Sequence, residues 1–333
     1  MGTNETILRL NQAGLESTRG TAVAATRKVY AQIEPSYERP LAWFTDTSGT
    51  YTSRRRASYG RERVMFSATD VATFEDLAWW FQLALKGGVT GTGSASTGYT
   101  YAFQPSLSSD DLKSMTLEFG ESGNPYEADQ VMVDSFTLRG DPDNDAEPGF
   151  MLEASMMGRT VATTTYTTSI SDRTTEVITA RGTKLYVDTS AANIGTTQLS
   201  GYLINWSLTG NNNLTYKAFA ENETSAAANR VGRGERTFDG EVTVEFDSDT
   251  TAIGWSKLRN GSQLFLRLER EGSVIATTYK KKLTLDMSAY VSGISFGDRD
   301  GNMTATITFN CGYDATLGFD FKATVINALS SLA

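Results

Sequence analysis

The run Asp141, Pro142, Asp143, Asn144 and Asp145 opens like a calcium-binding loop. Such a loop needs glycine at its sixth position and a bidentate glutamate at its twelfth. Ala146 and Leu152 stand there instead. A hairpin turn is the better reading, because Asp and Asn side chains bond their own backbone in turns. Histidine is absent from the chain, which removes the commonest general base, triad member and metal ligand. Gly91 and Gly93 begin a glycine-rich stretch, but Ser96 replaces the third glycine of a dinucleotide fingerprint and no Gly-Lys-Ser/Thr follows. A flexible loop is expected. The single cysteine, Cys311, cannot close an intramolecular disulfide or build a thiolate zinc site, and is expected as a small buried apolar group. Lys280, Lys281 and Lys282 suggest a solvent-facing turn. The many acidic residues would allow a glycosidase pair, but no spacing marks two carboxylates roughly 5–10 Å apart. No catalytic residue, metal or cofactor is expected, and the chain reads as a non-enzyme.

Other elements in the chain must therefore carry its function. At 333 residues the length favours two domains. The 39% hydrophobic content supplies cores, and 30 glycines with abundant threonine favour strands and turns. Alternation is clean at 114–119, 237–246, 263–268, 281–287 and 317–325, the pattern of antiparallel sheets with one buried face. The clearest helix spans about Thr73 to Lys86, with Phe74, Leu77, Ala78, Phe81 and Leu85 on one stripe. Thr73 and Asp76 suit a capping pair, and Gly87 with Gly88 ends the helix. Trp79 and Trp80 widen the apolar surface, and core packing is its simplest use.

The net charge of −9 comes mostly from the first half: through Thr165 there are 14 basic and 21 acidic residues, and beyond it 16 and 18. Tight binding to DNA phosphates requires the opposite sign. No run approaches 18 apolar residues, and the N-terminus shows no secretion signal. Synthesis in the cytoplasm is expected, without a membrane-spanning segment.

The two halves repeat an order of elements. Met65 and Phe66 end a strand, Ser67 to Asp70 follow, and the helix begins. Glu245 and Phe246 are answered by Asp247 to Thr250 and an apolar stretch through Ile253, Trp255 and Leu258. A hairpin comes later in each half: Phe136 and Leu138, an acidic turn, then Phe150, Leu152 and Ala154; Ile294 and Phe296, a turn at Asp298 to Asn302, then Ala305, Ile307 and Phe309. Gly158 and Gly312 close the returning strands. The division reads as a first domain over 1–165, a Thr/Ser/Ala-rich linker over 166–197 and a second domain over 198–333.

Each half also carries a long polar stretch before its helix. The first holds Arg54, Arg55, Arg56, Arg61 and Arg63, and the second Arg230, Arg233 and Arg236. Loops this long are uncommon in compact domains unless they function or are disordered. Their equivalent placement suggests inter-subunit contacts, to which the five-donor arginine fork is suited.

The segment Glu16, Ser17, Thr18, Arg19, Gly20, Thr21, Ala22, Val23, Ala24, Ala25, Thr26, Arg27 resembles the start of tail tube proteins of long-tailed bacteriophages, and the rest of the chain resembles that family's duplicated form. The resemblance implies a mainly β chain: two tandem antiparallel β-sandwich or barrel domains, each with one flanking α-helix. It implies a virion tail protein that stacks rings into a hollow conduit for genome ejection, with three duplicated chains per pseudo-sixfold ring. Partners would be copies of itself, a tape measure protein and a tail terminator, with double-stranded DNA passing without specific binding. An acidic lumen is expected, with Glu118, Asp134, Glu153, Glu241 and Glu245 as lining candidates. Other readings are a terminator, baseplate or capsid decoration protein, or a carbohydrate-active β-sandwich enzyme.

Overall fold

The computed structural model describes residues 8–52, 54–109, 111–121, 123–217, 219, 230–247 and 253–332. The first half contains β1 (Arg9–Leu15), β2 (Arg27–Lys28), β3 (Gln32–Glu38), β4 (Leu41–Thr45), β5 (Arg54–Tyr59) and β6 (Arg63–Val71). Then come α1 (Phe74–Ala84), β7 (Thr92–Ser94), β8 (Gly98–Phe103), β9 (Met115–Glu121), β10 (Asn124–Gly140), β11 (Met151–Gly158) and β12 (Thr160–Thr163). The second half has β13 (Lys184–Asp188), β14 (Leu203–Asn211), β15 (Leu214–Lys217), β16 (Arg230–Arg233), β17 (Thr237–Glu245) and α2 (Trp255–Asn260). It ends with β18 (Leu264–Ala276), β19 (Tyr279–Arg299), β20 (Asn302–Cys311) and β21 (Phe321–Asn327). The fold is mainly β and antiparallel throughout its ladders, as the alternation predicted.

Two long strands, β10 and β19, organise everything else. The N-terminal part of β10 lies between β9 and β12, and its C-terminal part pairs with β11. The same part of β19 lies between β18 and β21, and its C-terminal part pairs with β20. A bulge marks each change of partner, between Val133 and Ser135 and between Val291 and Gly293. A bulge adds one residue and bends the strand, so each long strand can pass from one sheet layer to the next. Outward from these, β9 pairs with β1 and β18 with β13. In the other layer the order is β11, β6, β3 in the first half and β20, β17, β14 in the second.

The halves join in one ladder, because β14 pairs with Ser135–Gly140 of β10. A second link is made by β8, which pairs with β21. Among the described residues no route through these pairings returns to its start, so the ladder is open. Residues 166–197 pack on this framework: Ile178 and Ala180 are buried, Phe150 N–H donates to Ile178 O at 2.7 Å, and β13 is part of the sheet.

The helix α1 starts one residue after the expected cap, and Thr73 Oγ1 accepts from the Asp76 N–H. Its surroundings exceed the expected stripe: all eleven residues are buried, Glu75, Asp76 and Gln82 included. The cause is its position between the halves. Asn327 donates to Phe74 O at 2.9 Å and Asn212 to Ala84 O at 2.9 Å. Lys281 Nζ lies 2.6 Å from Glu75 and 3.0 Å from Glu176, so this lysine is a tie between β19 and α1 and not part of a surface turn. Strand β6 runs on to Val71, past the expected end at Phe66, because Ser67–Val71 pair with β11. Of the second copy's Asp247–Thr250 segment, only Asp247 is among the described residues. In the stretch expected as a loop, Thr92 and Gly93 are instead part of the β7–β8 hairpin, with Gly91 just before it.

Asp70 points into the apolar side of β6, where the ladder places Val244 in the second half. Burial, then the nearby Asp76 charge, push its carboxyl up to about 6. A raised folded-state value makes ionised Asp70 unfavourable above pH 6, and that cost is relieved as pH falls toward the unfolded value near 4. Asp70→Asn should therefore stabilise the chain at pH 7.5 by about 1–3 kcal/mol, with the gain vanishing near pH 4. Denaturant midpoints at the two pH values check this.

Candidate assembly surfaces

One continuous layer runs β3, β6, β11, β10, β14, β17, β20 and the C-terminal part of β19. Period-two alternation gives it two unlike faces. One carries Ile33, Phe66, Ala68, Ala154, Phe136, Leu138, Trp206, Leu208, Val242 and Ile307, all buried in the core. The other is largely polar, with small side chains at its centre and Met65, Val71, Met151 and Arg139 toward its ends. Across the ladder, Ser67, Ser155, Ser135 and Asn211 form one row, and Thr69, Glu153, Thr137 and Thr209 the next. Thr137 and Thr209 hydroxyls meet at 3.0 Å across the junction of the halves, and Thr243 and Thr306 at 2.9 Å.

The acidic candidates separate on this geometry. Glu153, Glu241 and Glu245 lie on the polar face, with Asp239 beside them. Asp134 occupies the bulge of β10 and accepts from the Leu214 N–H at 2.6 Å, which fixes the start of β15. Glu118 is only 2% exposed. It belongs to β9, outside this layer, and its carboxylate accepts from Thr167 N–H at 2.8 Å and Thr167 Oγ1 at 2.5 Å. Glu118 as a lumen residue is corrected accordingly: it is an internal clamp on the chain after β12. Alternation alone did not distinguish a buried polar face from an open one.

The two long polar stretches form hairpins. β4 pairs with β5, and β15 with β16. Both connect equivalent strands, β3 to β6 and β14 to β17. The second folds down: Leu214 joins Leu112, Met132 and Met157 in a small separate core, and Tyr216 Oη donates to Gly158 O at 3.2 Å. In the first, every described strand residue is exposed, Trp43, Phe44 and Tyr59 among them. An isolated two-stranded hairpin is marginal in water, and clustered exposed aromatics mark contact surfaces.

Arg54, Arg55 and Arg56 lie on this arm, where Arg56 pairs with Asp46 and Arg55 donates to Thr50 Oγ1 at 3.1 Å. Arg61 NH2 donates to Phe219 O at 3.0 Å, and the Arg230 guanidinium sits 5.7 Å from the Phe219 ring centre. The root of the first hairpin therefore meets the loop end of the second. Arg63 opens β6 opposite Glu38. Arg233 donates to Asn212 Oδ1 at 3.2 Å, and Arg236 donates to Ser106 O at 3.4 Å and lies 5.5 Å from the Phe238 ring centre.

The N-terminal Glu16–Arg27 segment acts inside the chain. Glu16, 2% exposed, accepts from the N–H groups of Gly20 at 2.6 Å and Gln130 at 2.8 Å and from the hydroxyls of Ser114 at 2.5 Å and Thr116 at 3.2 Å. An amide would turn a donor toward these donors. Glu16→Gln is expected to cost about 2–4 kcal/mol, read as a lowered denaturant midpoint. Arg27 is buried 4.5 Å from the centre of the Trp79 ring and pairs with Asp76, which Arg173 also contacts at 2.7 Å. Burial, with Arg173 nearby, brings Arg27 down to about 9. Half-buried Cys311 has its thiol pushed well above the ordinary value, first by desolvation.

The acidic run after β10 makes a turn, as expected, with Asp141 Oδ1 accepting from the Asp143 N–H at 3.0 Å. Asp143 also pairs with Arg299 at the end of β19. Among the described residues no three His, Cys, Asp or Glu side chains are grouped so as to hold a metal ion, and no helix there is long and apolar enough to cross a membrane. A cavity of about 560 Å³ between β3 and β9 is lined by Arg9, Asn11, Ile33, Pro35 and Phe119, with Glu121 its one carboxylate.

Several solved chains are similar to this one. No family model and no curated protein matches the sequence. The tail tube of phage SPP1, determined by solid-state NMR and cryo-EM, is similar at 15% identity and a TM-score of 0.30, over 44% of this chain and 78% of that one.

Proposed function

We propose that this chain is a virion structural protein that polymerises as stacked rings into a phage tail tube. The carrying observation is the eight-strand layer with one small-polar face, one buried apolar face and two open ends. It consists of two four-strand units, β3-β6-β11-β10 and β14-β17-β20-β19, which we read as copies of one duplicated unit with residues 166–197 between them. Three chains supply six such units. At ~4.8 Å between strands and a tilt of about 40°, the resulting 24 strands close on a backbone diameter of ~48 Å. That leaves a bore for a DNA duplex and, during assembly, for a tape measure protein.

The polar face turns inward in this reading. Small hydroxyl and amide side chains keep the wall wet and smooth, and Glu153, Glu241 and Glu245 make it acidic. Phosphates then find no array of cations to displace their counterions, and repulsion acts within a screening length of about 8 Å. The apolar face is covered by α1 and the second sheet layer and lies outward. The β4–β5 arm, with Arg54, Arg55 and Arg56, reaches the next ring, and a terminator protein would cap the last one. Repeated head-to-tail contact of this kind propagates as a filament.

Negative-stain electron microscopy of the concentrated protein tests the assignment. Hollow tubes of uniform width are expected. Persistent monomers, or rings that never stack at any concentration, would contradict it.

A further inference from the structure

We infer that the edge of β3 and the apolar trough beneath it receive β19 and α2 of a second copy of this chain, in the register of the internal β10–β14 pairing. The inference deepens the ring reading and rests on it. The matched bulges set the equivalence: Ser135 corresponds to Gly293, Phe136 to Ile294 and Thr137 to Ser295. Carried through β6 and β17, the ladder matches β14 with β3: Trp206 with Ile33, Leu208 with Pro35 and Thr209 with Ser36. The internal junction pairs Thr137 with Thr209 and Leu138 with Leu208. Its counterpart pairs Ser295 with Ser36 and Phe296 with Pro35. Among the described residues β3 pairs only with β6, and Tyr290–Arg299 pair only with β20, so both edges are open for it. Pro35 lacks a donor, and proline is tolerated at edges.

The helices give a second, independent observation. Every residue of α1 is buried, whereas α2, which also follows the β6-equivalent strand, has none buried. The core containing α1 also contains the second-half residues Leu208, Phe238, Leu268, Leu285 and Phe321. The positions equivalent to these are Pro35, Val64, Phe119, Tyr126 and Val161; they line an open trough of about 460 Å³ in the first half, with Val64 and Phe119 buried at its floor. There Tyr37 is 54% exposed, while on the other side Trp255 is 44% and Phe296 is 47% exposed. Trp255 and Phe296 rings already lie against each other, tilted by 40° with centres 6.5 Å apart. What α1 does for the second half within one chain, α2 does for the first half of the neighbour. Head-to-tail repetition of this seam alternates three internal with three external junctions and closes the ring.

Disulfide trapping tests the register. In a Cys311→Ala background, Ser36→Cys with Ser295→Cys should give reducible covalent dimers and closed trimers on oxidation, because the internal counterparts Thr137 and Thr209 touch. Either single substitution should give no trimer, and Gln32→Cys with Ser295→Cys, four residues out of register, should give little product. Rings or tubes seen by microscopy without the Ser36–Ser295 cross-link would overturn the seam and leave the tube standing. A folded monomer that neither cross-links nor assembles would overturn both. Trp255→Asp supplies the second readout: at least tenfold weaker association with an unchanged melting temperature is expected. A lowered melting temperature with unchanged association would place Trp255 in the chain's own core and contradict the inference.

Discussion

Removing the β4–β5 arm should abolish tubes and leave rings. The arm is a separate two-stranded sheet, paired with no other strand among the described residues, and its strand residues are exposed. Replacing residues 41–59 with a short Gly-Ser turn between β3 and β6 removes no residue of the main core. The melting temperature should fall by only a few degrees, corresponding to about 1 kcal/mol or less. Stacking should fail because the arm exposes contact residues on both faces, Trp43 and Tyr59 on one and Phe44 with Arg56 on the other. Trp43→Asp with Phe44→Asp should produce the same phenotype without shortening the chain. Sedimentation and electron microscopy check the outcome: single rings are expected, and normal tubes from either variant would remove the arm from the stacking contact.

Reversing the charge of the polar face should give the second large effect. Glu153→Lys, Glu241→Lys and Glu245→Lys together change each chain by six charges while touching only surface positions on one face of the ladder. Glu153 gives up its contact with Arg139, which retains Glu147 at 2.9 Å. Stability should shift by less than about 1.5 kcal/mol, and tubes should still form. Genome passage should slow strongly at low salt and recover as salt is raised, since each lysine–phosphate contact contributes a slope of about −0.9 in log affinity against log salt. Ejection kinetics across an ionic-strength series provide the measurement. Unchanged kinetics in tubes carrying all three lysines would discard the electrostatic role of the lining.

The legible parts of the sequence were those where one physical signal dominated. Strands β17 and β21 alternate because each buries one face, β9 alternates in polarity although both its faces are covered, and α1 announces itself through Thr73, Asp76 and the spacing of Phe74, Leu77 and Phe81. Matching Phe136 with Ile294 and Leu138 with Phe296 is the choice that also superposes the bulges at Val133–Ser135 and Val291–Gly293. Matching Phe66 with Phe246 does not fit the ladder. The ladder aligns Phe246 with Ala72, since β6 continues five residues farther than its apolar run suggests.

Other features were illegible for stated reasons. The arm, whose strand β4 is apolar yet exposed, and the β15–β16 hairpin have little core to impose a period. The Glu118 carboxylate is buried against Thr167, 49 residues away, and no local pattern encodes that contact. Glu16 and Arg27 were visible within a motif, but their tasks depend on Gln130 and Asp76 from distant strands and the helix. The exposed side of α2 became meaningful only beside the buried α1.

The most direct test of the tube is a cryo-EM reconstruction of the assembled protein. Three chains per ring are predicted, with 24 strands around a bore lined by Thr137, Thr209, Glu153 and Glu241, and β19 of each chain beside β3 of the next. Six chains per ring, or a wall in which that small-polar face points outward, would contradict it.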